Sequence, residues 1–343
     1  MGVSPLGRGP GRVDARAMVP QTRPDVPPAW PPAAGAARVV PAALRPVSDL
    51  LGAARRGHPG LFWFAVAMGA LVGAAVVGLI VDDRVLLGAP VWFKPMKFAA
   101  SFGLYALTLA WMAALVQRGR RVVTVTGWVL VALSAIEIVV IVGQAARGVR
   151  SHFNDDTPFD ALLFSVMGAA VALIWLATAV LAVVVVRQRI ADRVVAWSIG
   201  LGLLVALLGM GVGLLMTGQP GGGAHSVGVP DGGPGLPLVG WSTTGGDLRI
   251  GHFVGLHALQ VIPLLGAVLA AVPRRLLPAR AGLRLLGVAA AGYLGVVGLL
   301  VWQALRGQPL LAPDAATLVA ASSLLGALAV AAVLAVFTDR RVA

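Results

Sequence analysis

The sequence predicts an all-α polytopic membrane protein, a bundle of about eight transmembrane helices. Of its 343 residues, 58% are hydrophobic and only 12% are charged, a balance too apolar for a soluble domain. Several apolar runs of about 20 residues are long enough to cross a hydrocarbon core about 30 Å thick. Because a backbone in lipid must satisfy its own hydrogen bonds, and because these runs lack the alternation of barrel strands, we expect helices.

The apolar runs divide the chain into a tail, a bundle and one long loop. Residues 1–59 are rich in Pro, Gly, Ala and Arg and are predicted to be a disordered basic cytoplasmic tail. The bundle occupies about 60–338, and 339–343 form a short cytoplasmic tail. The longest connection, 217–250, is predicted to be extracytoplasmic, with a flexible first half and an ordered lid at 240–250. The predicted spans are 61–81, 96–116, 122–143, 159–186, 194–216, 251–272, 283–305 and 315–337.

The charged residues follow the predicted loops. With the N-terminus inside, the inner loops carry twelve arginines and two aspartates, whereas the outer loops carry five arginines, the two lysines and eight aspartates. This positive-inside bias predicts that both termini are cytoplasmic. The net charge of +13 is therefore an orientation signal and not evidence for a nucleic-acid partner. The chain has no cysteine, which excludes disulfides and thiolate metal sites.

Three rare residue types point to one place in the bundle. Glu137 is the only glutamate and lies within the third span, Lys94 and Lys97 are the only lysines and open the second span, and Asn154 is the only asparagine. An ionisable group inside a bilayer is expensive and by default indicates a functional site. We therefore predict a polar site in the outer half of the bundle.

The sixth span carries a polar stripe that descends from its outer end. Arg249, His252, His257 and Gln260 recur at helical spacing, with Asp247 just before the helix. At a rise of 1.5 Å per residue, His257 lies about 7.5 Å deeper than His252. Polar residues in a span face the bundle interior, so this stripe is predicted to line the site.

The third span supplies the acid at a similar depth. Glu137 lies about 9 Å below the predicted outer end of its helix, which permits contact with His257 if the two helices are neighbours. Glu137, His257, His252 and Lys97 are the predicted catalytic groups, acting in proton transfer or as ligands. The predicted substrate-binding residues are Lys94, Gln144, Arg147, Asn154, Asp160, Asp247, Arg249 and Gln260.

A metal site is a further interpretation of the histidines. Neutral imidazoles suit Zn, Cu or haem iron, and His152, His252 and His257 are the candidate ligands. The five-residue spacing of His252 and His257 is poor for chelating one ion from a regular helix. His58 and His225 lie in segments predicted to be flexible and are assigned no role.

Three sequence motifs carry a resemblance to a known group of proteins. They are Trp92-Phe-Lys-Pro-Met-Lys-Phe98, Ser151-His-Phe-Asn154, and Gly246-Asp-Leu-Arg followed by His252-Phe-Val-Gly-Leu-His-Ala-Leu-Gln260. Over roughly residues 60–272 the chain resembles a family of uncharacterised bacterial multi-pass membrane proteins. The resemblance implies a location in the bacterial inner membrane and supplies no reaction.

These features leave three functions open. The leading hypothesis is a membrane enzyme, or a metal- or cofactor-binding protein, acting on a lipid-soluble or extracytoplasmic small molecule. The second is a proton-coupled transporter or channel that uses Glu137 and His257 as a relay, although the inner halves of the spans lack matching polar residues. The third is a sensor or assembly subunit of a membrane complex. The lipid bilayer is the one partner predicted in every case, and protein partners are not predicted.

Overall fold

The computed structural model describes residues 47–337, and the predictions for 1–46 and 338–343 lie outside this range. Within it, eight helices are long and apolar enough to cross a membrane, which confirms the predicted all-α membrane bundle. They are α2 (Pro59–Val81), α3 (Phe93–Ala114), α4 (Arg120–Arg147), α5 (Pro158–Val186), α6 (Arg193–Thr217), α7 (Leu248–Ala271), α8 (Ala279–Leu305) and α9 (Ala315–Phe337).

A short helix, α1 (Val47–Gly57), occupies part of the segment expected to be disordered. Its charges favour a helix, because Asp49 lies in the first turn and Arg55 and Arg56 lie in the last. The helix buries Ala53 and packs against α3. At Gly57 the two backbones are so close that a methyl group there would lie 2.6 Å from the backbone nitrogen of Ala114. Tertiary packing thus orders a segment whose composition alone suggested disorder.

His58, which was assigned no role, caps α2 and is buried. Its Nδ1 accepts the backbone N–H of Leu61 at 3.1 Å, so its Nε2 carries the proton that is donated to the Thr124 carbonyl at 3.0 Å. The histidine therefore ties the start of α2 to α4, and its role is structural.

Successive helices run antiparallel, so the connections gather at two ends. The long-loop end holds the 82–92, 148–157, 218–247 and 306–314 connections, and the short-loop end holds 115–119, 187–192 and 272–278. Two small hairpins lie at the long-loop end. In one, β1 (Val85–Leu86) pairs with β2 (Ala89–Pro90), and in the other β3 (Ser226–Val227) pairs with β4 (Gly246–Asp247).

The two helices that carry the candidate polar stripes extend beyond the predicted spans at their polar ends. Helix α4 continues four residues beyond the predicted 143 and ends at Arg147, and α7 begins at Leu248 because Asp247 accepts the backbone N–H of Arg249. Hydropathy predicts only the part of a helix that lies in the lipid core. The helical hydrogen bonds continue through the polar interface, so the helices are longer than the predicted spans. The two candidate polar stripes therefore lie on regular helix for their whole length.

The main apolar core seals the short-loop half of the bundle. Leu109 and Met112 of α3, Leu181 of α5, and Ile199 and Leu203 of α6 are fully buried members of one cluster. These residues lie towards the short-loop ends of their helices. Within a membrane such contacts stabilise the bundle through close van der Waals packing. The polar residues are left for the long-loop half.

Helices α6 and α7 form the tightest pair in the bundle. A methyl group at Gly209 would lie 2.6 Å from the Cα atom of Gly255, so two glycines let the backbones touch. Small residues at such crossings are typical of membrane helix packing. This contact fixes the orientation of α7 and with it the direction in which its polar stripe points.

Candidate functional site: a cationic cluster at the long-loop end

Both lysines lie in the first turns of α3, where a proline and a hairpin position them. Pro95 occupies the first turn, in which the missing N–H leaves no intrahelical bond unmade. The residue before the helix, Trp92, donates its Nε1–H to Asp82 at 2.7 Å, which anchors the start of α3 beside the end of α2. The lysines are thus held by the fold and are not on a free helix end.

Lys94 is enclosed among aromatic and imidazole rings. Its Nζ lies 3.3 Å from Nδ1 of His152 and 5.8 Å from the ring centre of Phe98. Its electrostatic neighbours are the cations Arg249 and Lys97 and, with opposite sign, Asp231 and Glu137. No carboxylate among residues 47–337 comes within ion-pair distance of its ammonium group.

Lys97 and Arg249 hold consecutive carbonyls of the long loop. Lys97 Nζ donates to the carbonyl of Val239 at 3.0 Å, and Arg249 Nη2 donates to that of Gly240 at 2.6 Å. Arg249 also pairs with the buried Asp247, with Nη2 2.5 Å from Oδ2. Lys97, by contrast, has no carboxylate partner within the described part of the chain. The loop therefore crosses the cluster where we expected a lid.

A histidine–aspartate pair that sequence reasoning missed lies beside the lysines. His225 Nδ1 is 2.6 Å from Oδ2 of Asp231, and the backbone N–H groups of His225 and Ser226 also donate to this carboxylate. Because the carboxylate accepts from Nδ1, Nε2 is the bare nitrogen of the neutral ring. Burial lowers the pKa of His225, although its bond to Asp231 opposes the shift. Burial alone would raise the pKa of Asp231, but the His225 and backbone hydrogen bonds lower it overall.

His152 lies between Lys94 and His225 and contacts both. Burial lowers its pKa well below the ordinary value, and the nearby Lys94 ammonium acts in the same direction. Its ring centre lies 5.6 Å from that of Phe98 and 6.2 Å from that of His225. The next residue, Phe153, has a φ of 51°, which bulky side chains rarely adopt, so the surrounding contacts impose this conformation. The site thus has aromatic walls around a positive centre.

The two histidines of α7 are bonded to separate partners. His252 Nδ1 donates to the Gly209 carbonyl at 2.8 Å, which is a consequence of the close α6–α7 packing. His257 Nδ1 lies 3.3 Å from Oε1 of Gln260, whose amide donates to the Thr108 hydroxyl at 3.1 Å. Gln260 therefore links α7 to α3 instead of turning towards the lysines.

The structure does not bring the three predicted metal ligands together. No group of three or more His, Asp or Glu side chains between residues 47 and 337 has the geometry to hold a metal ion. His152 is next to His225 and Lys94, while His257 is turned to Gln260. The three predicted ligands, His152, His252 and His257, have different contacts, because the five-residue spacing on α7 turns the imidazoles of His252 and His257 about 140° apart.

Glu137 is buried without a hydrogen-bond partner. It is 1% exposed, and Oε1 is the fully enclosed side-chain atom that lacks a partner among the described residues. It lies ten residues before the end of α4, about 15 Å along the helix. Lys94 is the charged group whose field reaches it. Native proteins contain few buried polar atoms without a partner, and each of them calls for an explanation such as a functional role.

Four predicted binding residues form a network of their own. Asp160 accepts from Gln144 at 2.8 Å, Thr157 at 2.7 Å and Arg147 at 2.7 Å, and Arg147 also donates to Gln144. Asn154 is fully buried and donates to the Arg150 carbonyl at 2.7 Å. The bonds satisfy these groups internally, so their observed role is to hold the 148–157 connection that presents His152.

The structure thus brings together Lys94, Lys97, Arg249, Asp247 and His152 and adds His225 and Asp231. The six-residue separation of His225 and Asp231 within a Gly- and Pro-rich run was the one available signal for that pair. A separate groove of about 510 Å³ between α7, α8 and α9 is lined by apolar residues such as Leu265, Gly292 and Leu328 and is remote from this chemistry.

Comparison with known proteins does not assign the chain to a family. No protein family matches the sequence, and neither the curated proteins nor the solved structures include one with significant similarity. The resemblance noted above therefore rests on its three motifs alone.

Proposed function

We propose that the cluster binds an anionic small molecule and that Glu137 and the neighbouring imidazoles exchange protons with it. The protein would then be a membrane-embedded enzyme or binding protein, in keeping with the leading hypothesis from the sequence. The bacterial inner membrane implied by the motif resemblance is the proposed location. The ligand is proposed to enter from the long-loop end.

The observation that carries the proposal is a pair of half-buried lysines that have no carboxylate partner among residues 47–337. Buried charges in proteins are normally paired, because an isolated ion in a low-dielectric site is strongly disfavoured. Lys94 has a neutral imidazole and Lys97 a backbone carbonyl as hydrogen-bond partners. Arg249 adds a third positive charge nearby. An anion would supply the missing counter-charge.

The arrangement also contains the groups that proton transfer requires. Glu137 Oε1 has no competing hydrogen bond within the described part of the chain, and the bonds of His225 and His252 at Nδ1 leave Nε2 as their bare nitrogen. Ammonium groups next to such bases stabilise negative charge that develops on a bound molecule. Backbone strain also occurs next to two of the contact residues, because Phe153 follows His152 with a φ of 51° and Leu238 precedes Val239 with a φ of 66°.

Transport is less well supported by the architecture. Alternating access requires a route from the site to either end. Leu109, Leu181 and Leu203 are fully buried in the apolar core that fills the short-loop half. We therefore propose a site that is reached from one end.

The proposal can be tested by thermal unfolding with simple anions as probes. Phosphate and acetate should raise the melting temperature, because a ligand at 100 times its Kd stabilises the native state by about 2.7 kcal/mol. The double variant Lys94→Gln/Lys97→Gln should lose this response. Arg150→Gln is the matched control, because Arg150 lies at the same end but pairs with the exposed Asp156. An equal response of all three proteins, or no response of the wild type to either anion, would refute the site.

A further inference from the structure

Two facing stripes on α3 and α7 lead away from the cationic cluster. On α3, Lys97, Ser101, Leu104 and Thr108 follow one another at steps of four, three and four residues. On α7, Arg249, Phe253, Leu256 and Gln260 follow the same steps. Residues at such spacing share one face of a helix. Each helix therefore presents a cation at the top of a stripe and a polar, uncharged side chain at the bottom.

The stripes are joined at their two ends. At the top, Lys97 and Arg249 bind the consecutive carbonyls of Val239 and Gly240. At the bottom, Gln260 Nε2 donates to Thr108 Oγ1 at 3.1 Å. The two junctions are eleven residues apart on both helices, which corresponds to about 16 Å at 1.5 Å per residue.

Between these junctions the two faces remain partly open. Ser101, Phe253 and Leu256 are half-buried, and Leu104 is 43% exposed although it lies between Lys97 and Thr108 on the same face. Deeper along the same helices, Leu109 and Leu259 are fully enclosed in the apolar core. The space between the two faces, called here the α3–α7 groove, therefore has cations at the top, mostly apolar side chains along its length and the Gln260–Thr108 bond at the bottom.

We propose that the α3–α7 groove holds the alkyl chain of an anionic amphiphile whose head group binds at Lys94, Lys97 and Arg249. The inference rests on the proposed anion site and names the class of molecule it accepts. The length of about 16 Å is close to half of a hydrocarbon core about 30 Å thick, which is the depth of one lipid leaflet. The charge at the top selects an anionic head group, and the apolar stretch selects a chain.

The test measures binding of three probes to the purified full-length chain by native mass spectrometry. Dodecyl phosphate combines the head and the chain, inorganic phosphate has the head alone, and dodecanol has the chain alone. We expect dodecyl phosphate to bind at least tenfold more tightly than phosphate, and dodecanol to bind weakly. Lys94→Gln/Lys97→Gln should reduce dodecyl phosphate binding at least tenfold.

A bulky residue in the α3–α7 groove tests the contribution of the alkyl chain to binding separately from that of the head group. Leu104→Trp should remove the advantage of dodecyl phosphate over phosphate while leaving phosphate binding unchanged. Leu318→Trp is the matched control, because Leu318 is 53% exposed on the peripheral helix α9, and it should bind all probes like the wild type.

The failures of the two proposals are distinguishable. Equal affinities for phosphate and dodecyl phosphate would overturn the amphiphile proposal, and so would binding of dodecanol and dodecyl phosphate that does not depend on the lysines. In either case, lysine-dependent binding of phosphate would still support the anion site, and its absence would refute that site as well. Absence of lysine-dependent binding by both phosphate and dodecyl phosphate would overturn both. Unchanged dodecyl phosphate binding in Leu104→Trp would show that the chain does not occupy this groove.

Discussion

At the scale of single residues, Glu137 and Asp160 show how differently two buried acids can be treated. Asp160 is 3% exposed and accepts hydrogen bonds from Gln144, Arg147 and Thr157, whereas Glu137 is 1% exposed and its Oε1 has no partner between residues 47 and 337. Hydrogen bonding offsets the penalty of burial for the first group but not for the second. We interpret Asp160 as structural and Glu137 as functional.

Substitution by the matching amide should therefore act in opposite directions on stability. Glu137→Gln removes a buried acid that has no hydrogen-bond partner among the described residues, so it should raise the unfolding free energy by about 1 kcal/mol while abolishing any activity that needs the proton. Asp160→Asn breaks a satisfied network and should lower it by about 1–3 kcal/mol. Denaturant titration of the two variants checks both signs. A loss of stability in Glu137→Gln as large as in Asp160→Asn would contradict the functional assignment.

The rarity of lysine in the chain pointed to two members of this cluster, but the sequence could not supply their neighbours. Lys94 and Lys97 were singled out because the chain has no other lysine, and both lie in the cluster. His225 was set aside because its Gly-rich surroundings suggested flexibility. Its position depends on Asp231 and on pairing of β3 with β4, and neither contact follows from local composition. Likewise, the sequence permitted contact between Glu137 and His257 only if their helices are neighbours, and it gave no sign that Lys94 is the charged neighbour of Glu137.

At the scale of helices, the apolar runs predicted which helices exist and in what order they occur. The polar residues at the helix ends decided where each helix begins and ends. The eight predicted spans correspond to α2–α9, since each run is long enough to span the core. Helix α1 could not be predicted, because its stability comes from packing against α3 and its own sequence is short. Helix adjacency also had to come from the structure, since it depends on side-chain packing between distant segments.

The α6–α7 contact is the helix-level feature on which the site depends. A methyl group at Gly209 would meet the backbone of Gly255, and the same residue provides the carbonyl that binds His252. Gly209→Ala should therefore destabilise the protein by about 1–3 kcal/mol through overpacking. Gly211→Ala is the matched control, because a methyl group at Gly211 meets no atom within 4 Å.

Thermal unfolding of the two alanine variants provides the measurement. The expected result is a lower melting temperature for Gly209→Ala and an unchanged one for Gly211→Ala. Identical melting temperatures for both variants and the wild type would mean that α6 and α7 are not held this closely.

At the scale of the whole molecule, polarity is divided between the two halves of the bundle. The long-loop half holds the cationic cluster, and the short-loop half is filled by an apolar core that includes Leu109, Leu181 and Leu203. The arginine distribution predicts that the long-loop end faces away from the cytoplasm. A site that opens at one end suits a protein that binds or modifies a molecule without carrying it across the membrane.

Because the sequence has no cysteine, a single introduced thiol can report on the charge of the α3–α7 groove. Ser101 lies one turn below Lys97 on the face that borders the α3–α7 groove, so Ser101→Cys places a single thiol beneath the cluster. The decisive quantity is the ratio of its labelling rates by an anionic and a cationic methanethiosulfonate reagent, each rate divided by the rate of that reagent with a free thiol in solution, and both reagents unable to cross the membrane. A cleft lined by charges of one sign accelerates the entry of opposite charge by about tenfold or more.

The account predicts that the anionic reagent reacts about tenfold faster or more, from the long-loop side only, and that Lys94→Gln/Lys97→Gln brings the ratio close to one. Excess phosphate should slow the reaction in the protein that retains both lysines. Equal rates for the two reagents with the lysines present, or equal labelling from both sides of the membrane, would contradict a one-ended anion site.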